Sequence, residues 1–399
     1  MINYPRLGNT SVISPAKIEV NQAKAGKSVI LVTGHYWDSK RKAGFHWLAD
    51  TLWRQGWQVI FMTAALSWLS VIRKDYRLEY PVLKEANQLF EVDKNLWSYV
   101  WFTPWHPANL RSNFLNNLGK SLFNNYAGLP LGMLEPMVRQ ADLFIFESTP
   151  ALLLFERFKR LNSTARYIYR VSDDLRMLRN HSVVIETEQR VASQFDLVSV
   201  PSQYIHNNFK GLPNLKLHYH GIRKDLYNRE YSNPYSSTDH PNVIFVGNSY
   251  FDYDFLDKAS QMFPNWHFHI IGPISNLPKR NNIKVYGEMP FEATVPYIKY
   301  ADIALQTRSY TPGTESLTDS LKVIQYTFCK LPIIAPDYLS SSKPHIFYYQ
   351  PGDSESIHKA LVQAKNCNTN QIKADGINSW DELIFEMLKL VNINSYKQN

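Results

Sequence analysis

Cysteine is almost missing: Cys329 and Cys367 are the only two in 399 residues. A disulfide framework is thereby excluded, and no His/Cys spacing suits structural zinc. Cys329 falls inside an apolar helical pattern, as a buried free thiol in a reducing compartment does. No run of about eighteen apolar residues free of charge occurs, which argues against a transmembrane helix. The first residues hold no continuous apolar signal core, and 30–32 is too short to be one. The first strand is not followed by a glycine-rich dinucleotide fingerprint. Helix-turn-helix, RNA-binding aromatic and finger spacings are absent too, so nucleic acid ranks low among partners. Charge is sparse, at 20% of residues.

What is present is apolar and aromatic. Hydrophobic residues make up 44% and aromatics 14%, enough to bury sizeable cores, and the length suggests two domains. Lys and Arg exceed Asp and Glu by 43 − 35 = +8. That balance favours a polyanion, whether nucleic acid, an anionic membrane face or a nucleotide-activated substrate, without choosing among them.

Along the chain, residues 1–26 read as a loose polar arm. Apolar runs at 28–33, 57–62, 141–147, 165–170, 195–200 and 215–219 read as strands, with helical patterns between them at 43–55, after 148–150, at 183–192 and after Pro201. The first strand ends at Gly34 and His35, the carboxyl edge where open α/β sheets bind ligands. Residues 64–134 are less regular. There Trp68, Arg73, Lys74 and Arg77 precede a crowd of aromatics from Trp97 to Trp105, and Arg111 opens a helix carrying Phe114, Leu115, Leu118 and Leu122. Such a mixture faces a membrane interface, stacks on sugars, or is ordinary core with solvated cations. A turn-rich linker at 228–241 separates a second βα series, with strands at 242–247, 266–272, 283–286, 302–305 and 333–335 and a closing helix near 380–390. The domains expected are 1–225, joined by a C-terminal helix within 377–399 that packs back on it, and 241–376. Each is a Rossmann-like α/β unit.

The second domain contains the most informative stretch. After the strand at 302–305 comes a polar loop, Arg308 to Ser316, then a helix in which Leu321, Ile324 and Phe328 share one face. Thr318 or Asp319 is positioned to cap it. Strand, loop and helix N-terminus in that order hold phosphate well. Lys322 and Gln325, three apart, offer a cation and an amide suited to a diphosphate beside a base or sugar. The plainer alternative leaves Lys322 solvated and Gln325 on the surface.

In order and spacing, several stretches resemble the GumK-type β-glucuronosyltransferases of xanthan assembly, glycosyltransferase family 70. They include 42–56, Phe146-Glu147-Ser148, Tyr169 to Asp173, Val246-Gly247, His269 to Gly272, Val285 to Met289, Ser320 to Tyr326, and Leu331-Pro332. The resemblance runs from His35 to at least Pro336. It implies the two-domain GT-B fold, with Rossmann-like halves facing a central cleft. It also implies inverting transfer of glucuronate from UDP-glucuronate to a polyprenyl-diphosphate-linked oligosaccharide in exopolysaccharide synthesis. The enzyme would be peripheral at the cytoplasmic face of the inner membrane, with no cofactor besides the UDP-sugar donor substrate. By position, Asp173 matches the catalytic base. Glu288 and Met289 match residues near the uridine, and Ser320, Leu321, Lys322 and Gln325 match those around ribose and diphosphate. Arg308 stands where the family has a donor-contacting tyrosine, Ser249 where it has a methionine, and His206 where it has a glutamate.

Inverting transfer needs a base for the acceptor hydroxyl and positive charge for the departing diphosphate. Asp173 suits the first role, or else it is an Asx turn or helix cap, and Asp174 is its neighbouring rival. Lys322 with the helix amides suits the second, so no metal is required, although Asp173-Asp174 could hold a cation. Glu288 reads a ribose or base, or caps the next helix. Arg308 pairs with a donor carboxylate, or is solvated. A transferase using another UDP-sugar, a sugar-nucleotide epimerase and a catalytically silent carbohydrate-binding or membrane scaffold are the alternatives.

Overall fold

A computed structural model describes residues 26–40, 42–177, 180–236, 239–247 and 250–393. The expected arm at 1–26 lies outside these apart from Gly26, as do Ser249 and linker residues 237–238. The described residues fall into two compact units. One holds those up to 200, then 206–217 and those from 384 onward; the other holds 201–205 and 218–383.

The first unit is built on an eight-stranded sheet, ordered β3-β4-β2-β1-β5-β6-β7-β8. Its strands are β1 (Ser28–Thr33), β2 (Gln58–Ser67), β3 (Leu89–Asp93), β4 (Leu96–Thr103), β5 (Leu143–Glu147), β6 (Arg166–Arg170), β7 (Leu197–Val200) and β8 (Leu215–Leu217). All neighbours are parallel except β3 and β4. Val29 to Val32 are at most 1% exposed because helices cover both faces of a parallel sheet, which explains the unbroken apolar run.

Residues 64–103 depart from the sequence expectation. β2 continues to Ser67, past a register break between Thr63 and Leu66 where Ala65 adopts a φ of 56°. The aromatic crowd is largely β4, with Tyr99 and Trp101 fully buried. Neither a membrane face nor a sugar platform is available to these two; they are core, each contributing roughly 1.5–3 kcal/mol by burial, whereas Trp97, Phe102 and Trp105 are half-buried. Arg77 is likewise buried. Its guanidinium donates to the carbonyls of Gly34, Ala64 and Ala65 at 2.8, 3.0 and 2.9 Å and pairs with Asp75 at 2.8 Å. One cation thus ties the end of β1 to the irregular turn of β2.

The second unit carries a six-stranded, wholly parallel sheet, β11-β10-β9-β12-β13-β14. Its strands are β9 (Asn242–Val246), β10 (His267–Ile271), β11 (Ile283–Gly287), β12 (Ile303–Leu305), β13 (Ile333–Pro336) and β14 (Ile346–Tyr349). Separate apolar clusters cover its two faces. Glycines stand at the carboxyl ends of three adjacent strands: Gly247, Gly272 and Gly287. At Gly272 the requirement is absolute. Its φ is 142°, and a Cβ there would lie 1.8 Å from the Gly247 carbonyl oxygen.

Gly272→Ala should therefore cost about 3 kcal/mol or more of stability. Gly287→Ala, at a φ of 72° with open space around it, should cost only the left-handed penalty of about 1–2 kcal/mol. Urea unfolding of both variants checks this; equal losses would refute the contact between the β9 and β10 ends.

Candidate active site

In the first unit, three strand ends meet on one carboxylate. Glu147, the last residue of β5, is 4% exposed. It accepts from the Thr33 hydroxyl and from the Gly34 amide at 3.1 Å, both at the end of β1. It also accepts from the Ser172 hydroxyl at 2.8 Å, beyond β6, and lies 3.3 Å from His35 Nε2. Burial alone would raise this carboxyl, but the His35 charge and the hydrogen bonds from His35, Thr33 and Ser172 hold it down at about 2. Burial opposes the charging of His35; Glu147 outweighs it and Asp173 adds to the attraction, so His35 is raised.

His46, in the helix Gly44–Arg54, backs this cluster with its ring centroid 5.6 Å from that of His35. Its Nδ1 accepts the Ala43 amide at 3.0 Å, so Nε2 carries the proton donated to the Tyr36 carbonyl at 2.9 Å. Burial first, then Lys42 and His35, lower it to about 3, so it stays neutral.

The adjacent Ser148 hydroxyl accepts the amides of Ser172 and Asp173, each at 3.0 Å. This double acceptance fixes the turn that presents Asp173, which is partly exposed. Asp174 is differently employed. It is 6% exposed and accepts the Arg176 amide at 2.9 Å, both arms of the Arg176 guanidinium at 3.0 and 2.8 Å, and Asn208 at 2.9 Å. Its lone pairs are occupied by local structure. The family resemblance singled out Asp173 but gave no role to Glu147 or Ser148; the signal for them was an acid closing an otherwise apolar strand, Leu143 to Glu147.

In the second unit, the helix Leu321–Phe328 begins after Ser320. The expected cap by Thr318 or Asp319 does not form. Thr318 bonds the Glu315 carbonyl at 2.7 Å, and Asp319 pairs with Lys343. Ser320 takes the N-cap position without a side-chain cap bond, its hydroxyl accepting from Gln306 at 3.0 Å instead. The amides of Val323 and Ile324 turn to the Ser320 carbonyl at 2.9 and 3.2 Å, so those of Leu321 and Lys322 are the ones that face outward from the helix start. Lys322 is half-buried, and its ammonium lies 4.3 Å from the centre of the Phe245 ring. Burial first and Arg308 second push it well below the ordinary lysine value. Arg308 is 6% exposed, so the solvated reading of that residue fails.

Gln325, 5% exposed, is no surface residue either. Met289 packs against the adjacent core, and Glu288 is exposed just past β11. Gln306 Oε1 and Thr307 Oγ1 are buried and make no hydrogen bond among the described residues. Buried polar atoms of that kind generally have a partner, supplied at binding sites by the ligand. Ser249 lies outside the described residues. No group of three or more His, Cys, Asp or Glu suited to a metal ion occurs among those described.

Two Rossmann-like units with binding features at the carboxyl edges of their parallel sheets define the GT-B class of glycosyltransferases. Solved structures agree on that fold. Sucrose-phosphate synthase from Thermosynechococcus elongatus aligns with a TM-score of 0.61 at 12% identity, over 92% of this chain and 98% of its own. Anabaena HepE, in complex with UDP and glucose, aligns at 0.54 and 14%, over 92% and 97%. Residues 31–201 match the family described as "Glucuronosyltransferase GumK, N-terminal domain". The UDP-glucuronate:glycolipid 2-beta-glucuronosyltransferase of Xanthomonas campestris pv. campestris is 30% identical over 340 residues, 84% of this chain and 83% of that protein. The chain belongs to the GumK glucuronosyltransferase family.

The state of Lys322 sets a pH dependence. A diphosphate bound beside it favours the ammonium and raises its pKa, so binding takes up a proton between the lowered free value and the raised bound one. Affinity for UDP should therefore fall as pH rises through that window, below the usual lysine value of about 10.4. Calorimetry in buffers of different ionisation enthalpy checks this. The same proton count with Lys322→Met as with the parent would show that Lys322 is not the group that titrates.

Proposed function

We propose that this chain transfers glucuronate from UDP-glucuronate to a sugar on a polyprenyl-diphosphate carrier, inverting the anomeric centre, as a step of exopolysaccharide synthesis. The reading rests on the likeness to the Xanthomonas glucuronosyltransferase. What carries it to a residue is position: Ser148 accepts the amides of Ser172 and Asp173 together and so fixes the turn that presents Asp173 at the carboxyl edge of the sheet.

In this mechanism Asp173 takes the acceptor hydroxyl proton as that oxygen bonds to the sugar's anomeric carbon. The bond from that carbon to the diphosphate oxygen breaks, and UDP departs with the electron pair. The negative charge growing on the diphosphate meets Lys322, Arg308 and the first-turn amides of Leu321–Phe328. Electrostatic stabilisation at a leaving group contributes on the order of 2.7–4 kcal/mol for a single well-placed donor. These groups supply the charge that a metal ion supplies in other transferases, and the proposal calls for none. Arg308 adds a guanidinium whose fork matches a donor carboxylate.

The enzyme works, on this reading, from the cytoplasmic face of the membrane as a peripheral protein. No helix among the described residues is long and apolar enough to cross a membrane. The first unit instead exposes Trp68, Ile72, Phe114 and Leu118, each more than half accessible, beside exposed Arg73 and Lys74. Anionic lipid attracts such cations by about 1 kcal/mol each. Flotation with anionic vesicles should carry the protein up in a salt-sensitive manner; absence from both anionic and neutral vesicle fractions would sink this part.

The decisive test is Asp173→Asn. The variant should fold and bind UDP, while single-turnover transfer falls by roughly 10²–10⁴. Asp174→Asn should instead lose stability, since it weakens a charge-assisted network, and keep most of its transfer rate. Transfer at the parent rate by the Asp173 variant would overturn the assignment.

A further inference from the structure

Beside the Glu147 cluster the first unit encloses a cavity of about 720 Å³ for which the sequence offered no role. Its lining is cationic. Arg73, Arg77, Arg111 and His106 contribute, with Asn109 and Asn180, and no Asp or Glu lines it among the described residues.

These groups divide into wall and donors. All five N–H bonds of Arg77 are already used, by three carbonyls and by Asp75, so it shapes the wall and contributes field only. Arg73 and Arg111 are exposed. Arg73 uses one nitrogen to hold the Asn109 carbonyl at 2.8 Å, which leaves the rest of its fork for a ligand. Arg111 has a φ of 60°, an uncommon conformation for this residue type, which its amide bond to the Asn109 side chain at 2.8 Å sustains. His106 is neutral, lowered to about 4 by burial first and by Arg77. Its Nδ1 shares a hydrogen bond of 2.8 Å with the Ser67 hydroxyl. The cavity therefore offers fork donors and a neutral imidazole with no carboxylate to repel an anion.

Its surroundings are the opposite in character. Arg73 directly follows the helix Trp68–Ile72, where Trp68 is 61% and Ile72 77% exposed. Arg111 directly precedes the helix Asn113–Asn124, which exposes Phe114, Leu115, Leu118 and Leu122. Asn109 joins the two, accepting from Arg73 through its carbonyl and from Asn116 of the second helix through its side chain at 3.2 Å. A hole that attracts anions between two exposed apolar surfaces fits an amphiphile with a doubly charged head and a hydrocarbon tail. Gly34, Thr149 and Pro150 also line it, next in the chain to His35 and Ser148, and His35 senses both Arg77 and Asp173.

We propose that this cavity binds the diphosphate of the prenyl-linked acceptor, with Arg73 and Arg111 as its direct ligands, Arg77 positioning the wall, and the exposed helices receiving the chain. The inference deepens the transferase reading and rests on it for the identity of the acceptor. Its test is a binding measurement. Farnesyl diphosphate, farnesol and inorganic diphosphate are titrated against the full chain with UDP present at saturation, then against Arg73→Gln/Arg111→Gln.

Farnesyl diphosphate should bind, farnesol and inorganic diphosphate much more weakly, and the double variant should lose roughly tenfold or more in affinity. UDP affinity should be unchanged in the variant, which also reports that it is folded. Binding equal in the variant and the parent overturns the proposal, as does displacement by UDP. Inorganic diphosphate binding as tightly as the farnesyl ester would assign the cavity to free anions and overturn the lipid assignment. Arg-dependent binding without glucuronate transfer would instead refute the transferase reading while leaving the cavity's ligand in place.

Discussion

The first unit depends on a carboxylate that a sheet would ordinarily exclude. Glu147 closes a strand whose other residues are fully buried, and its own side chain remains in that interior. An ionised carboxylate there is tolerable only if its lone pairs are filled and its charge is met. Thr33, Gly34 and His35 from one strand end, and Ser172 from another, do both. Those donors stand at the ends of β1 and β6, the strands on either side of β5 in the sheet order. Satisfying one charge therefore fixes the relative positions of three strand ends. Asp173 inherits that rigidity, because Ser148 takes its amide and that of Ser172 together.

Much of this was legible before any coordinates, and the reasons differ by region. Parallel strands buried on both faces read as plain apolar runs, so those at 28–33 and 242–247 stand out in the sequence. The order of strand, polar loop and helix around Lys322 was visible too, from the change of apolar spacing between Leu305 and Leu321. The stretch from Ala64 to Thr103 was not. β2 outlasts its apolar core through an irregular turn at Ala65, and the arginine that sustains that turn is twelve residues further on. A cation whose partners are backbone carbonyls leaves no pattern for a sequence to show. The aromatics of β4 misled for a related reason: composition says that Trp101 is amphipathic, but only the sheet order says that β4 lies between β2 and β3. The helix cap near 320 was misplaced by the same limit, since Thr318 and Asp319 have the right chemistry but are engaged elsewhere.

The second unit solves the converse problem, with cations where the first has an anion. Lys322 and Arg308 approach closely enough for one to depress the other. Two like charges out of water, beside a helix start whose amides have no side-chain cap, are unfavourable in an empty site. Burial first and Arg308 second push the lysine's pKa down, a response that is not open to the arginine. The remaining features are of one kind: a hydroxyl and an amide oxygen buried without hydrogen bonds, and glycines that clear the ends of three strands. Each is a small loss in the unliganded chain; an anion lying close to the backbone would meet the cations and the Thr307 hydroxyl, while the Gln306 amide oxygen calls for a donor group on the same ligand.

The two units thus place their strain differently, and the difference suits the tasks proposed for them. A proton acceptor must be oriented before the reaction and must not exchange partners, so its support is satisfied in advance, around Glu147. A binding cradle for a charged leaving group gains by being unsatisfied until the group arrives, since the interactions it then forms come without dismantling others. Rigidity around Asp173 and frustration around Lys322 are therefore complementary uses of the same sheet edge. In a parallel α/β sheet, the carboxyl edge is where backbone amides and loop side chains converge with no strand beyond them. The two edges differ in what stands at the strand end: an acid that neighbours satisfy, as at Glu147, or a glycine whose missing side chain lets the Lys322 ammonium approach the backbone, as at Gly247.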